Sequence, residues 1–190
     1  FYDVNKFKLN KSSIIKILIC GIIIALHWIT FFYAIKISNV SITVSMMSSA
    51  AFLTSLIEPL FFKKKFLLYE LILGVLSLFG VFIIFNAELK YIDGLIVALI
   101  SSILVSVFTL LNSRIVINNS SITISFYELF VGFLFSLLYY YLFFDESLIL
   151  KKTNNQDFML LVILGIVCTS YAFTKSVDLI KYLKPFTIMM

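Results

Sequence analysis

Charge is what this sequence has least of: 13% of its 190 residues are Asp, Glu, Lys or Arg and 62% are hydrophobic, where soluble domains carry roughly 25% charged residues. The mean hydropathy is +1.09. So little charge excludes a soluble fold, because a helix at a water-facing surface needs a polar face and the apolar runs here have none. Alternating segments of about ten residues are missing as well, which excludes a membrane barrel. The only two cysteines, Cys20 and Cys168, lie inside apolar runs and read as small buried hydrophobes, not as a disulfide or metal ligands. A single histidine, no CxxC pair, no nucleotide loop and no acidic pair at helical spacing within a run leave little for catalysis. No catalytic residue, metal or cofactor is therefore expected. An integral-membrane enzyme acting on lipid-linked substrates is the alternative function class. There is no signal-peptide pattern, since the basic start (Lys6, Lys8, Lys11) leads into a full span without a small-residue cleavage site.

What is present is a series of long apolar runs. A hydrocarbon core about 30 Å thick takes roughly 20 helical residues to cross, and runs of that length cover 13–37, 40–62, 66–86, 91–113, 121–144 and 158–182, with a further one opening at Pro185. The first two are separated only by Ser38-Asn39, so residues 20–62 form a membrane hairpin with His27 inside it. Residues 1–12, 87–90 and 145–157 read as loops. The chain starts at Phe1 and stops soon after Pro185, and both ends read as cut.

The net charge of +5 sits mostly at run ends and reads as a topology signal, not as a nucleic-acid surface. With spans alternating across the bilayer, one side collects Lys6, Lys8, Lys11, Lys63, Lys64, Lys65, Arg114, Lys181 and Lys184, and the other Lys90, Lys151 and Lys152. The majority side is placed in the cytoplasm. Sliding the chain against itself by 144 residues brings Gly21 onto Gly165, Ile22 onto Ile166, Thr30 onto Thr174 and Thr43 onto Thr187. Five spans separate these copies, so they must lie upside down relative to each other, which is the build of many secondary transporters.

The residues that pair in this way also carry a family resemblance. The helix from Gly21 through Ala34 with His27-Trp28 and Tyr33-Ala34, the run from Ser41 to Pro59, the helix with Gly74 and Gly80, and in the second copy Gly165, Thr169, Tyr171-Ala172 and Leu183–Phe186 resemble the EamA-type family of the drug/metabolite transporter superfamily. Where family members often have a Gly-Glu pair in the basic turn, this chain has Lys63-Lys64-Lys65-Phe66, with Glu70 later and no role carried onto it. The resemblance implies a ten-helix carrier, usually an exporter of small metabolites such as amino acids. The expected fold is all-α: a polytopic transmembrane helical bundle of inverted five-helix repeats, a fragment of a ten-helix transporter. Residues 1–86 would be the C-terminal part of the first repeat and 91–190 the N-terminal part of the second. The expected location is the inner (plasma) membrane, multi-pass, and the expected partners are a small-molecule substrate and the lipid bilayer, with protons a candidate coupling partner and no nucleic acid.

Polar groups inside spans nominate the pathway. His27 lies beyond the middle of its span, where an imidazole is costly and is by default a pathway or relay group; the alternative is a hydrogen bond to a neighbouring helix. Tyr171 aligns with His27 in the repeat, and Lys175 and Asp178 share its face at +4 and +7; the alternative is a local Lys175–Asp178 pair. Glu128 within the fifth span, Ser45 and Ser48 on a small-residue face with Ser49, and the aromatics Trp28 and Tyr33 complete the expected pathway. Glu58 and Pro59 form a candidate gate, because proline frees a carbonyl and kinks the helix; pairing of Glu58 with the lysines at 63–65 is the rival reading.

Overall fold

A computed structural model describes residues 11–87, 89–144 and 154–190. All regular structure among them is helical: α1 (Lys11–Ile37), α2 (Val40–Met47), α3 (Ser49–Phe62), α4 (Leu68–Ala87), a 3₁₀ turn (Leu89–Tyr91), α5 (Ile92–Ile115), α6 (Ser121–Phe143), α7 (Asn155–Ile163), a π-helical run (Leu164–Ala172), α8 (Phe173–Leu179) and α9 (Pro185–Met189). Five stretches are long and apolar enough to cross a membrane: Ser13–Ile37, Val40–Phe62, Ile92–Ile115, Ser121–Phe143 and Asn155–Leu179. The run read as the third span is α4, whose apolar part among the described residues is the shorter Leu68–Ile83. Of the loops read at 1–12 and 145–157, residues 1–10 and 145–153, with Lys6, Lys8, Lys151 and Lys152, lie outside the described residues, while 11–12 and 155–157 are helical.

Local chemistry sets the breaks. At the tip of the hairpin Ser38 Oγ donates to Ala34 O at 2.6 Å, closing α1, and Asn39 in extended geometry accepts from Ile42 N at 2.9 Å, opening α2. This is a two-residue C-cap and N-cap, each satisfying an end group that lipid cannot. The second span is divided at Ser48, where the bonds Ser48 N to Ser45 O and Ala51 N to Ser48 O tighten the backbone to a 3₁₀-like turn. α3 ends with Lys63 in the left-handed region (φ 52°) and Lys64 N bonded to Pro59 O. The last spanning stretch starts three residues before the expected 158. Asn154 and Asp157 form a reciprocal capping box, so polar residues that read as loop are the helix start.

α5 is the central helix, in contact with α1, α2, α3 and α9, while α6 packs on α1 and α8. One end of the bundle gathers Asn119 Nδ2 on Ser13 Oγ (3.2 Å), Arg114 Nη2 on Phe61 O (2.6 Å), Ser121 Oγ on Asp178 (2.6 Å) and Lys184 on Glu70 (3.1 Å). These are the helix ends that alternation of the spans puts on the side of the positive majority. α7 and the π run have no buried residue, and large apolar side chains such as Phe79, Phe133 and Leu161 point outward. Such a surface is suited to lipid and not to water.

Close approach rests on several of the glycines, among them Gly94, where a Cβ would lie 2.5 Å from Ser38 Cβ at the hairpin tip. A Cβ on Gly21 would lie 2.7 Å from Val131 Cβ and 2.9 Å from Glu128 O, and one on Gly74 would lie 2.9 Å from Phe52 Cα. Gly80, on the same helix as Gly74, has open space there, as does Gly165, the repeat partner of Gly21. Gly21→Ala is therefore expected to destabilise the fold by about 1–3 kcal/mol through overpacking. Gly80→Ala should leave it unchanged or raise it by up to about 1 kcal/mol from helix propensity. Thermal unfolding in detergent micelles distinguishes the two, and equal shifts would contradict this packing.

Candidate functional site

The serines of α5 organise the neighbourhood of His27. Ser101, Ser102 and Ser106 are fully buried. Ser102 Oγ donates to Met46 O at 3.1 Å and Ser106 Oγ to Ala50 O at 3.2 Å, on either side of the Ser48 break. Ser101 Oγ donates to His27 O at 3.0 Å, while His27 Nδ1 lies 3.0 Å from Ser101 O and 2.8 Å from Ser101 Oγ. A carbonyl oxygen only accepts, so the bond to Ser101 O is made by the tautomer with its proton on Nδ1, which leaves Nε2 as the acceptor of a neutral ring. The hydrogen bond to a neighbouring helix is thus present, and it also fixes the ring for use at its other nitrogen.

His27 forms part of the wall of a cleft of about 470 Å³ between α1 and the π run. Trp28, Phe31 and Phe32 continue its wall on α1, and Cys168, Thr169 and Phe173 face them. The Trp28 ring meets Phe173 edge-on at 6.1 Å. A π run carries one extra residue per turn and is frequent at functional sites; here it supplies Leu164, Cys168, Thr169 and Ala172 to the cleft. None of the cleft residues is charged. Cys168, read as a buried hydrophobe, is exposed, and only Cys20 fits that reading. The reason is that the π run buries none of its residues, so nothing covers the thiol.

The remaining expected pathway residues divide. Tyr171 and Lys175 lie on the exposed face of this span, with Lys175 Nζ 5.8 Å from the Tyr171 ring centroid. Asp178 pairs with Lys181 at 3.2 Å, not with Lys175. Tyr33 is exposed and lines a separate hollow with Lys90, Tyr91 and Asp93. Ser48 is exposed and bonds Ser45 O at 2.7 Å, and Ser45 is half-buried, so both belong to the break in the second span. Glu128 is fully buried in α6, away from the cleft.

The candidate gate lies at the end rich in positive charge. Glu58 Oε2 accepts from Phe186 N at 3.3 Å, the first turn of α9. The rival pairing with the lysines at 63–65 is not among the ion pairs of the described residues. Beside it, Lys184 Nζ reaches Glu70 Oε1 and Tyr69 Oη, both at 3.1 Å, and Tyr69 Oη donates to Glu70 at 2.9 Å. These contacts join α3 and α4 to the start of α9. Glu70 and Lys184 were not nominated from the sequence; the acid–tyrosine pair that opens α4 and the lysine before Pro185 were the available signals.

The fold and these sites define a multi-pass helical membrane protein. Residues 1–86 match the EamA-like transporter family, in agreement with the resemblance read from the helices of that stretch. That family consists of transporters, which fits a protein that is not an enzyme. No curated protein and no solved structure matches the chain.

Tyr69 and then Glu70 hold the Lys184 ammonium above the ordinary lysine range. A raised pKa means that the contact contributes fully below the ordinary lysine value and is lost as pH climbs through the raised one. Lys184→Met leaves the Glu70 carboxylate, 4% exposed, without its cation. The single variant is therefore expected to lower the melting temperature more than the double variant K184M/E70Q does. Thermal unfolding at neutral pH tests this, and the gap should close at strongly alkaline pH.

Proposed function

We propose that the chain carries a small metabolite outward across the cytoplasmic membrane by alternating access, with the cleft beside His27 as the substrate site. The observation that carries this reading is that cleft: about 470 Å³, aromatic on both sides, uncharged, and with the His27 imidazole, held at Nδ1 by Ser101, in its wall. A mostly apolar hollow with a few placed polar groups suits a small amphipathic molecule, and an amino acid with an apolar side chain fits better than a polyanion. His27 accepts a hydrogen bond from its ammonium, Thr169 offers a hydroxyl, and Trp28 and Phe31 cover the body. The Glu58–Phe186 and Lys184–Glu70 contacts close the cytoplasmic end in this state, and Pro59 permits the bend when they part. The two halves, 1–86 and 91–190, move against each other as inverted repeats. Tyr171, Lys175 and Tyr33 serve at the approaches, outside the cleft itself.

Trp28 is the only tryptophan and Cys168 the only exposed cysteine among the described residues, so both report on the cleft without engineering. A bound amino acid is expected to change Trp28 emission in a saturable way and to slow maleimide labelling of Cys168. His27→Ala should weaken both effects by roughly tenfold, the loss of one hydrogen bond to a charged group. A panel of amino acids that alters neither signal would contradict the assignment.

A further inference from the structure

The most costly group in the bundle is one the cleft does not use. Glu128 is 0% exposed, and neither carboxyl oxygen has a hydrogen-bond partner. Asn112 on α5, also 0% exposed, has both amide atoms unpartnered. These two side chains and the thiol of Cys20 on α1 are neighbours, enclosed by an apolar cluster that includes Ile17, Ile24, Ile124 and Phe108. Ser125, one turn before Glu128 on the same helix face, has a buried Oγ that is likewise unpartnered.

Among the described residues no permanent charge faces this group. From α1 it meets Cys20, and from α5 the uncharged Asn112. α8 and the turn after it bring Asp178 and Lys181, but these engage each other and Ser121, two turns before Glu128 on α6. An ionised carboxylate enclosed in this way has nothing to balance it, whereas a carboxylic acid has a complement. A small rotation of the two neighbouring side chains would let its O–H donate to Asn112 Oδ1 and its carbonyl accept from Asn112 Nδ2, a cyclic pair that would satisfy all four orphaned atoms at once. When the proton leaves, Asn112 Nδ2–H and Cys20 Sγ–H are the donors that remain for the carboxylate. The trio thus serves both protonation states, which neither an apolar core nor a salt bridge does.

We propose that Glu128, held by Asn112 and Cys20, is a proton-binding site in the membrane interior, separate from the substrate cleft. The proton adds to a carboxylate oxygen and leaves by the same atom, with no other bond made or broken. The site is sealed by the α1–α6 contact in which Gly21 lies against the Glu128 backbone oxygen, so exchange with water requires those helices to separate. Its use in coupling flux to a proton gradient rests on the carrier reading above; the binding of the proton does not.

The test is labelling of the full chain in nanodiscs with dicyclohexylcarbodiimide, which attacks protonated carboxyls in apolar surroundings, followed by peptide mass spectrometry across a pH series. The expected result is an adduct on Glu128 that falls away as pH rises, together with a carboxylic-acid carbonyl band in the infrared that Glu128→Gln abolishes and Asn112→Leu shifts. Should Glu128→Gln fail to fold, the pH series on the unmodified chain carries the test alone. Absence of the adduct at every pH overturns the proposal, as does labelling that does not vary with pH. If the chain proves to transport nothing, the labelling result is untouched, so the two failures are distinguishable.

Discussion

The structure depends on hydroxyl groups that donate to backbone carbonyls across the α5 interfaces. In a bilayer no water satisfies a freed carbonyl, so a helix can break only where protein supplies the missing donor. The second span breaks at Ser48, and Ser102 and Ser106 of α5 bond the carbonyls of Met46 and Ala50 on either side of it. Ser101 does the same for His27 on α1. Contacts of this kind average only about 0.6 kcal/mol each in membranes, so their importance lies in geometry. They decide where the hairpin bends and how the imidazole faces.

From that arrangement the functional layout follows. α1 is held on α5 along one side, which leaves its other side, with Trp28 and Phe31, to form the cleft with the π run. α3 is held on α5 as well, and its end reaches the start of α9 through Glu58. The cleft beside His27 and the polar contacts at one end are thus attached to the same central helix. Movement of α9 or of the π-containing span changes the closure or the cleft without dismantling the serine contacts.

Much of this was legible in the residues. Apolar length located the spans to within a few positions, and Ser38-Asn39 announced the hairpin because both are capping residues. His27 stood out because it is the lone imidazole inside a span. What was not legible depends on three-dimensional neighbours. Gly21 and Gly80 look alike in a helix pattern, yet only the first meets another backbone. Tyr171 aligned with His27 in the repeat, but the π run rotates its face, turning Cys168 and Thr169 to the cleft and Tyr171 outward. Asn112 gave no signal of its own, since a polar residue near a span end normally reads as a cap or an interface group. The family match over residues 1–86 supports the transporter class and does not specify what is carried.

The central claim is that the cleft beside His27 is where a carried molecule binds. Counterflow of radiolabelled amino acids in proteoliposomes loaded with the same unlabelled compounds tests it most directly, since it needs no knowledge of the driving ion. Saturable accumulation of at least one apolar amino acid, lost in a His27→Ala chain that still folds, is the predicted result. No saturable counterflow for any member of the panel, or flux unaffected by His27→Ala, would contradict the account.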